Sequence, residues 1–361
     1  MQQNTIPTLS ISTQPELIEF LEKNIWHDEL IPSKLVINNH SFDIGITYRG
    51  NHTRKLRKKS YKVDFGTYNE EFLGREIHIN AEYCDPSFIR NKLSFDFFKQ
   101  IGINSPDCRY VLIEINGRPS GTYLQLESVD DHFLQKRQLS YGPIYYATNH
   151  QTNFSLLTIK GEPKSSLISG YVRKIGNVED DSDLEKLIIK INTIPRNEFG
   201  KEIVKYLDVK KYLIWLCGVI CTQNYDAFIQ NYALYRNGKS GLYEMIPWDF
   251  DATFGRDWNG GVMKFNRVPI EGFNTLTARL LDVKEFRVQY RILLEEILEK
   301  YFTVSEFEPR IIHLHNLLRS HIALDPYKKD AIDLFDKEQE FILQFILNRN
   351  QYLRDHLNDL E

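Results

Sequence analysis

Apolar and polar positions alternate with a period of two over residues 60–65. Tyr61, Val63 and Phe65 share one face; Ser60, Lys62 and Asp64 share the other. Such alternation marks a half-buried strand. The same reading predicts strands in SKLVIN (33–38) and HSFDIGITYRG (40–50). It predicts two more in CRYVLIEINGRPSGTYLQLESVD (108–130), joined by INGRPSG, whose Asn-Gly is a hairpin signal. Helical spacing of apolar residues appears first in QPELIEFLEKN (14–24). It returns over 86–100, where Asp85 suits the N-cap, Pro86 the first turn and Gly102 the stop. A short helix is expected at 130–136.

From 183 onward the pattern is mostly helical: 183–193, 198–206, 208–222, 275–283, 284–302, 304–321 and 335–357. Residues 150–185 are polar, close on the acidic run VEDDSD, and read as an excursion. No internal repeat is visible. The layout predicts an α+β chain of two lobes, a β-rich lobe over 1–130 and a mostly helical lobe over 131–361.

Composition narrows the classes. At 361 residues the chain can bury a large core, and 42% hydrophobic content excludes a disordered chain. A net charge of −4 gives no general basicity for nucleic acid. No apolar run approaches the roughly 20 residues of a bilayer span, so no membrane partner is expected. The opening MQQNTIPTLSISTQPELIEF lacks a basic end followed by an apolar core, so no secretory signal is expected. Four cysteines in a chain of this length form no disulfide framework. Cys217 and Cys221, four apart in KYLIWLCGVICTQ, are expected as small core residues of a buried helix.

The candidate chemistry lies in NYDAFIQNYALYRNGKSGLYEMIPWDFDATFG (224–255). NYALYR and LYEMIPW alternate around the turn residues NGKSG, which predicts a hairpin. Pairing about Lys239 sets Asn231 opposite Pro247 and gathers Asp226, Asn231, Asp249 and Asp251 at one end. Carboxylate and amide oxygens suit Mg²⁺, which keeps waters and substrate phosphates as its other ligands. Asp226 and Asn231 have the Asp-x₄-Asn spacing of a protein-kinase catalytic loop, where a hairpin and a metal-binding Asp also follow. Caps and strand ends use the same residue types, so the pattern alone leaves a structural role open. The run RKLRKKSYK (54–62) carries six basic residues in nine, a solvated loop or a phosphate site.

Several longer stretches carry a resemblance: YRGNHTRKLRKKSYKVDF, INAEYCDPSFIRNKLSFDFF, GTYLQLESVDDHFL, NYDAFIQNYALYR, IPWDFDATFGRD and GFNTLTARLL, with NRNQYLRDHL near the end. In these the chain resembles the spore coat protein H (CotH) kinase family, from about residue 45 to 282 and again at the C-terminus. The resemblance implies an atypical protein-kinase-like fold and ATP-dependent phosphorylation of serines with Mg²⁺ or Mn²⁺. It implies spore coat proteins with Ser/Lys-rich segments as partners and the spore coat as location. It implies Asp226 as the base and Asn231, Asp249 and Asp251 as metal ligands. Lys59 or Lys62 would hold the phosphates, paired with Glu82 or a residue of the 86–100 helix. Arg49 and Gly50 would form a phosphate-approaching turn; Glu127 would meet adenine or be a surface carboxylate, and Trp248 would pack on the nucleotide or in the core.

Departures from ordinary protein kinases limit what transfers. No G-x-G-x-x-G precedes the lysines, Asn224-Tyr225-Asp226 stands for His-Arg-Asp, and Asp249-Phe250-Asp251 lacks the glycine. No Ala-Pro-Glu follows, so activation-loop switching is not expected. Two other functions compete: a catalytically silent coat scaffold, and a metal-dependent transferase using Asp249-Phe250-Asp251 as a D-x-D site. Nothing in the sequence sets the oligomeric state.

Overall fold

The computed structural model describes residues 5–69, 71–72 and 74–361. They divide into two compact units. The first comprises Met1–Lys92, Pro106–Ser128 and Arg310–Glu340; the second Leu93–Ser105, Val129–Pro309 and Phe341–Glu361.

The first unit is built on β1 (Thr8–Ser12), α1 (Pro15–Lys23), β2 (Ile31–Ile37), β3 (His40–Arg49), β4 (Ser60–Asn69), β5 (Gly74–Asn80), the start of α2 (Arg90–Gln100), β6 (Cys108–Ile115) and β7 (Arg118–Glu127). The strands close a barrel in the order β1-β2-β3-β4-β5-β7-β6, sealed by parallel pairing of β1 with β6. Closure leaves no open edge. Strand β2 buries every second residue, Ile31, Ser33, Leu35 and Ile37, and β4 buries Tyr61 and Val63. These inward residues meet Ile46, Ile77, Ile79, Val111 and Ile113 in one core, to which α1 adds Leu21. The Asn38-Asn39 and Asn116-Gly117 turns have positive φ at both central residues, the form that matches strand twist.

The basic run is not a uniform solvated loop. Arg54 is buried, donating to the carbonyls of Gly50 and Ile25 and to Asp28. Lys58 is fully buried between the rings of Phe88 and Tyr123. It pairs with Asp325 at 2.8 Å and donates to the Thr122 carbonyl. Asp325 also accepts the Thr122 N–H at 2.8 Å, so the pair fastens residues around 325 to the barrel.

The expected helix over 86–100 begins later, at Arg90. Phe88 takes a left-handed φ of 61° and breaks the first turn. Asp85 still acts as an organiser: its carboxylate accepts the Ser87 and Arg90 N–H groups and pairs with the Arg90 guanidinium, which also reaches Glu338 at 2.6 Å.

The second unit contains α3 (Asp131–Lys136), β8 (Ile144–Ala147), β9 (Tyr171–Ile175), α4 (Asp181–Thr193), α5 (Phe199–Ile203), α6 (Val209–Thr222), β10 (Tyr232–Arg236), β11 (Tyr243–Pro247), α7 (Thr275–Leu281), α8 (Lys284–Lys300), and parts of α9 (Val304–Ile322) and α10 (Ile332–Asp355). Its sheet runs β11-β10-β8-β9, all antiparallel. The expected hairpin is therefore two strands of four, and the supposed excursion at 150–185 supplies β9 and the start of α4.

The hairpin register differs by one residue from the expectation: Tyr232, not Asn231, faces Pro247. The loop is longer than NGKSG, with the Asn237 N–H donating to the Leu242 carbonyl and Asn237 Oδ1 accepting from Lys239 and Ser240. A one-residue slip turns each side chain to the other face. It leaves the acidic groups at the same end.

Helix α6 is the axis of this unit, buried along nearly its whole length. Cys217 and Cys221 lie fully buried in it, and burial pushes both thiols far up, as expected of inert core residues. Gly218 is needed by a close approach: a Cβ there would sit 2.2 Å from the Phe98 ring. Arg349 of α10, also fully buried, donates to the carbonyls of Ile220, Phe265 and Val268 at 2.8–3.0 Å. It thereby satisfies a last-turn carbonyl of α6 that the helix cannot satisfy itself. Among the described residues, no helix is long and apolar enough to cross a membrane.

Candidate active site

Helix α6 ends at Gln223, whose left-handed φ of 57° turns the chain out of the helix. The next residue, Asn224, organises the loop that leads to β10. Its Oδ1 accepts the N–H groups of Asp226 and Ala227 at 3.1 Å, opening a short 3₁₀ turn over Asp226–Phe228. Its Nδ2 donates to the Asp249 carbonyl at 3.2 Å. One buried amide thus ties the loop before the hairpin to the loop after it. Asn231 adds a second tie, its Nδ2 lying 3.5 Å from the same carbonyl and its N–H donating to Ala147.

The segment after β11 alternates in burial. Trp248 and Phe250 are buried; Asp249 and Asp251 are half-buried. Phe250 packs edge-to-face on Phe98 with ring centres 4.9 Å apart, and the Thr253 hydroxyl donates to its carbonyl. The aromatic anchor fixes the segment that presents both carboxylates.

Asp226 is half-buried, and its carboxyl is raised above the usual carboxylate range. Burial is the main cause and the charge of Asp249 the second; a hydrogen bond with Gln230 opposes both. Two like charges that feel each other in a partly desolvated place suit a divalent cation, which would reverse the repulsion. Asp249, Asn231 and Asp251 carry the oxygen donors a hard metal takes, but Asp226, Asp249 and Asp251 do not bring one carboxylate oxygen each within 4.8 Å of one another, so an ion there would take most of its ligands from water and substrate. Among the described residues, the group that does bring one ligand atom each within 4.8 Å of one another is Asp130, Asp131 and His132. There Asp130 already serves as the N-cap of α3, accepting the His132 and Phe133 N–H groups.

The remaining predicted site residues have defined places. Lys59 donates to the Arg54 carbonyl at 2.5 Å, and partial burial lowers its amine. Lys62 lies half-buried on β4, between Thr47 and His78 in register. Arg49 bonds to Asn80 Oδ1. Gly50 has a φ of 92°, and a Cβ there would strike the Thr53 hydroxyl, so the turn requires glycine. Glu127 accepts the Asp107 N–H at 2.8 Å. Trp248 packs edge-to-face on Tyr146. Glu82 accepts from Asn91.

Sequence reasoning overlooked three groups. Asn224 had a visible signal, an Asn two residues before an Asp at a helix end, which favours a side-chain-to-backbone turn. Lys58 and its partner Asp325 had none, since the two are 267 positions apart. The third is a pocket of about 280 Å³ beside Asp226, lined also by Tyr225, Trp258, Val262, Met263 and Arg267.

Comparison with known proteins places the chain. It is 47% identical over 359 residues to the inner spore coat protein H of Bacillus subtilis (strain 168), covering 99% of each chain. It is 29% identical over 310 residues to the inner spore coat protein H-like protein of the same organism, covering 84% of this chain and 87% of the other. Among solved structures it is similar to HipA in the HipA–HipB–operator DNA complex of Shewanella oneidensis MR-1, at 15% identity and a TM-score of 0.37, covering 96% of this chain and 74% of that one. It is similar to the Helicobacter pylori proinflammatory kinase CtkA at 10% identity and a TM-score of 0.32, covering 91% and 93%. Neither score establishes a shared fold. A family model described as CotH kinase protein matches residues 46–353. By that match and the 47% identity across nearly its whole length, this chain, an α+β protein with a β-barrel N-terminal region and a helical C-terminal region, belongs to the CotH kinase protein family.

Proposed function

We propose that the protein is an atypical protein kinase that phosphorylates serines of spore coat proteins with ATP and a divalent metal. The observation that carries the reading is the Asn224 side chain, which binds the turn bearing Asp226 to the Asp249 carbonyl and so holds the loops before and after the hairpin together. Family membership supports it, and the relatives' names support the coat as location and coat proteins with Ser/Lys-rich segments as substrates. The lobes would divide near residue 130.

In this reading Asp226 accepts the serine hydroxyl hydrogen and orients the oxygen for attack; it takes the proton as the serine Oγ–phosphorus bond forms and the bond from the γ-phosphorus to the bridging oxygen breaks, that electron pair leaving with ADP. Its raised carboxyl is a better base than an ordinary surface carboxylate, provided it is ionised. Asp249, Asn231 and Asp251 would hold Mg²⁺ or Mn²⁺, which when bound offsets the negative charge of the phosphates. Asn224 positions both loops. The phosphates would fall to Lys59 or Lys62 and the Arg49–Gly50 turn, with Glu127 and Trp248 as the base-side candidates. Lys58 is fully buried against Asp325 and the Thr122 carbonyl.

The test is transfer of labelled γ-phosphate to a Ser/Lys-rich peptide. Asp226→Asn and Asp249→Ala are expected to lower kcat by about 10² or more, with Tm close to wild type. Transfer at the wild-type rate in either variant would end the assignment.

A further inference from the structure

The turn that carries Asp226 is held at both ends. Asn224 holds the leading end through the N–H groups of Asp226 and Ala227. The trailing end is held from far along the chain. Asn274 Nδ2 donates to the Phe228 carbonyl at 3.0 Å, a buried bond that spans 46 positions. The Asp226 carbonyl accepts the N–H groups of Ile229 and Gln230 at 3.0 and 2.9 Å, so the turn is internally braced and moves as one piece. Fixing Phe228 therefore fixes Asp226.

Asn274 is buried, and its own orientation is set by its oxygen. Oδ1 caps α7, accepting the Thr277 N–H at 2.7 Å, and the Tyr212 hydroxyl of α6 lies 3.4 Å from the same atom. Tyr212 is fixed in turn by the Thr277 hydroxyl at 2.7 Å. A planar amide whose oxygen is bound has its nitrogen aimed by that bond. Here it is aimed at the carbonyl that closes the Asp226 turn. The two preceding residues fit the same turn. Gly272 has a φ of 67°, and a Cβ there would come 2.4 Å from the Phe228 ring. The Phe273 ring centre lies 4.3 Å from that of Phe228 and 4.8 Å from that of Tyr225. Capping needs only an oxygen, which serine or aspartate would supply as well. The amide nitrogen is what the cap leaves unexplained.

We propose that Asn274 is a positioning residue for phosphoryl transfer: its amide nitrogen fixes the Asp226 turn against the start of α7, so that the carboxylate meets the serine hydroxyl in one orientation. The inference rests on the reading of Asp226 as the base. Asn274 acts through the backbone of the turn, and its contribution is geometric. A misplacement of about 1 Å at a catalytic group can lower the rate by about a hundredfold. The loss falls on kcat, because ATP, metal and peptide are held by other groups.

The test compares Asn274→Ser with Asn274→Ala in the full chain. Serine keeps an oxygen to cap α7 and lacks the nitrogen; alanine lacks both. With labelled ATP and a Ser/Lys-rich peptide, kcat is expected to fall by about tenfold or more in both variants. KM for ATP and for peptide should stay within about twofold of wild type. Tm should drop clearly only in Asn274→Ala. Asp208→Ala controls for lost stability alone. It removes the cap at the start of α6, about 20 Å of helix away from Asn224, and should lower Tm with kcat unchanged. Hydrogen exchange reads the tether without turnover: amides of residues 226–230 should exchange about tenfold faster in Asn274→Ser than in wild type. A wild-type kcat in Asn274→Ser overturns the proposal. So does a loss carried wholly by KM, or an equal kcat loss in Asp208→Ala. Faster exchange in Asn274→Ser with no phosphate transfer by wild type leaves the tether standing and removes the kinase reading. Transfer by wild type, with kcat and exchange unaltered in Asn274→Ser, does the reverse.

Discussion

Arg349→Met tests how the C-terminal helix supports the site. Methionine keeps an unbranched apolar stem and deletes the guanidinium. The carbonyls of Ile220, Phe265 and Val268 then lose their donor. Each buried carbonyl left unpaired costs about 1–3 kcal/mol. Part returns, because a neutral thioether replaces a cation whose burial drives its ionisation down to about 10. The net loss is about 3 kcal/mol, which for a unit of this size lowers Tm by roughly 6–12 °C. Thermal and urea unfolding followed by circular dichroism measure it. Arg349→Lys, with one point charge in place of the fork, should fall between. Because two of the carbonyls flank Arg267, the variant should also open residues 256–268 to limited proteolysis. A Tm within about 2 °C of wild type would show that water or other donors replace the guanidinium, and would refute the argument.

Four further outcomes are expected. The Asp226 carboxyl is raised above the usual carboxylate range, chiefly by burial, so activity is expected to fall as acid protonates it, read as the acid limb of a pH–rate profile that Asp226→Asn abolishes. A raised carboxyl is ionised more readily in the unfolded chain, so stability is lost as pH rises toward neutrality; Asp226→Asn, which carries no charge, should raise Tm by a few degrees at most at pH 7. Gly218→Ala should destabilise by about 1–3 kcal/mol in urea unfolding despite alanine's better helix propensity, since its Cβ would press on Phe98. Lys58→Met should cost about 3–5 kcal/mol in the same urea assay by stranding Asp325, and the double variant with Asp325→Leu should recover most of it.

Local patterns were readable because their causes are local. The alternation at Tyr61 and Val63 gave β4, and the apolar run around Cys217 gave a buried helix. The turn residues near Lys239 gave the hairpin, whose flanking loops Asn224 ties together. Barrel closure was not readable: β1 and β6 pair in parallel across about a hundred residues, with no local signal for the match. The start of α2 was misplaced because the Asp85 side chain captures both Ser87 and Arg90 and forces Phe88 into a left-handed turn that no propensity foretells. The hairpin slipped by one because Asn237 holds a longer loop. Within the basic run, composition does not tell a buried Lys58 from its neighbour Lys59; only the arrival of Asp325 separates them.

Asn231 and Asp249 share one backbone peculiarity, φ values of 60° and 59°. Most side chains pay roughly 1–2 kcal/mol for that geometry, while Asn, Asp and above all Gly enter it easily. Shape and chemistry therefore ask for the same residue types at these two points. A descendant that abandoned catalysis but kept the architecture would find glycine the easiest replacement, and Asn231→Gly with Asp249→Gly would imitate it. A glycine at either place in a relative would then mark a chain retained for assembly rather than for turnover.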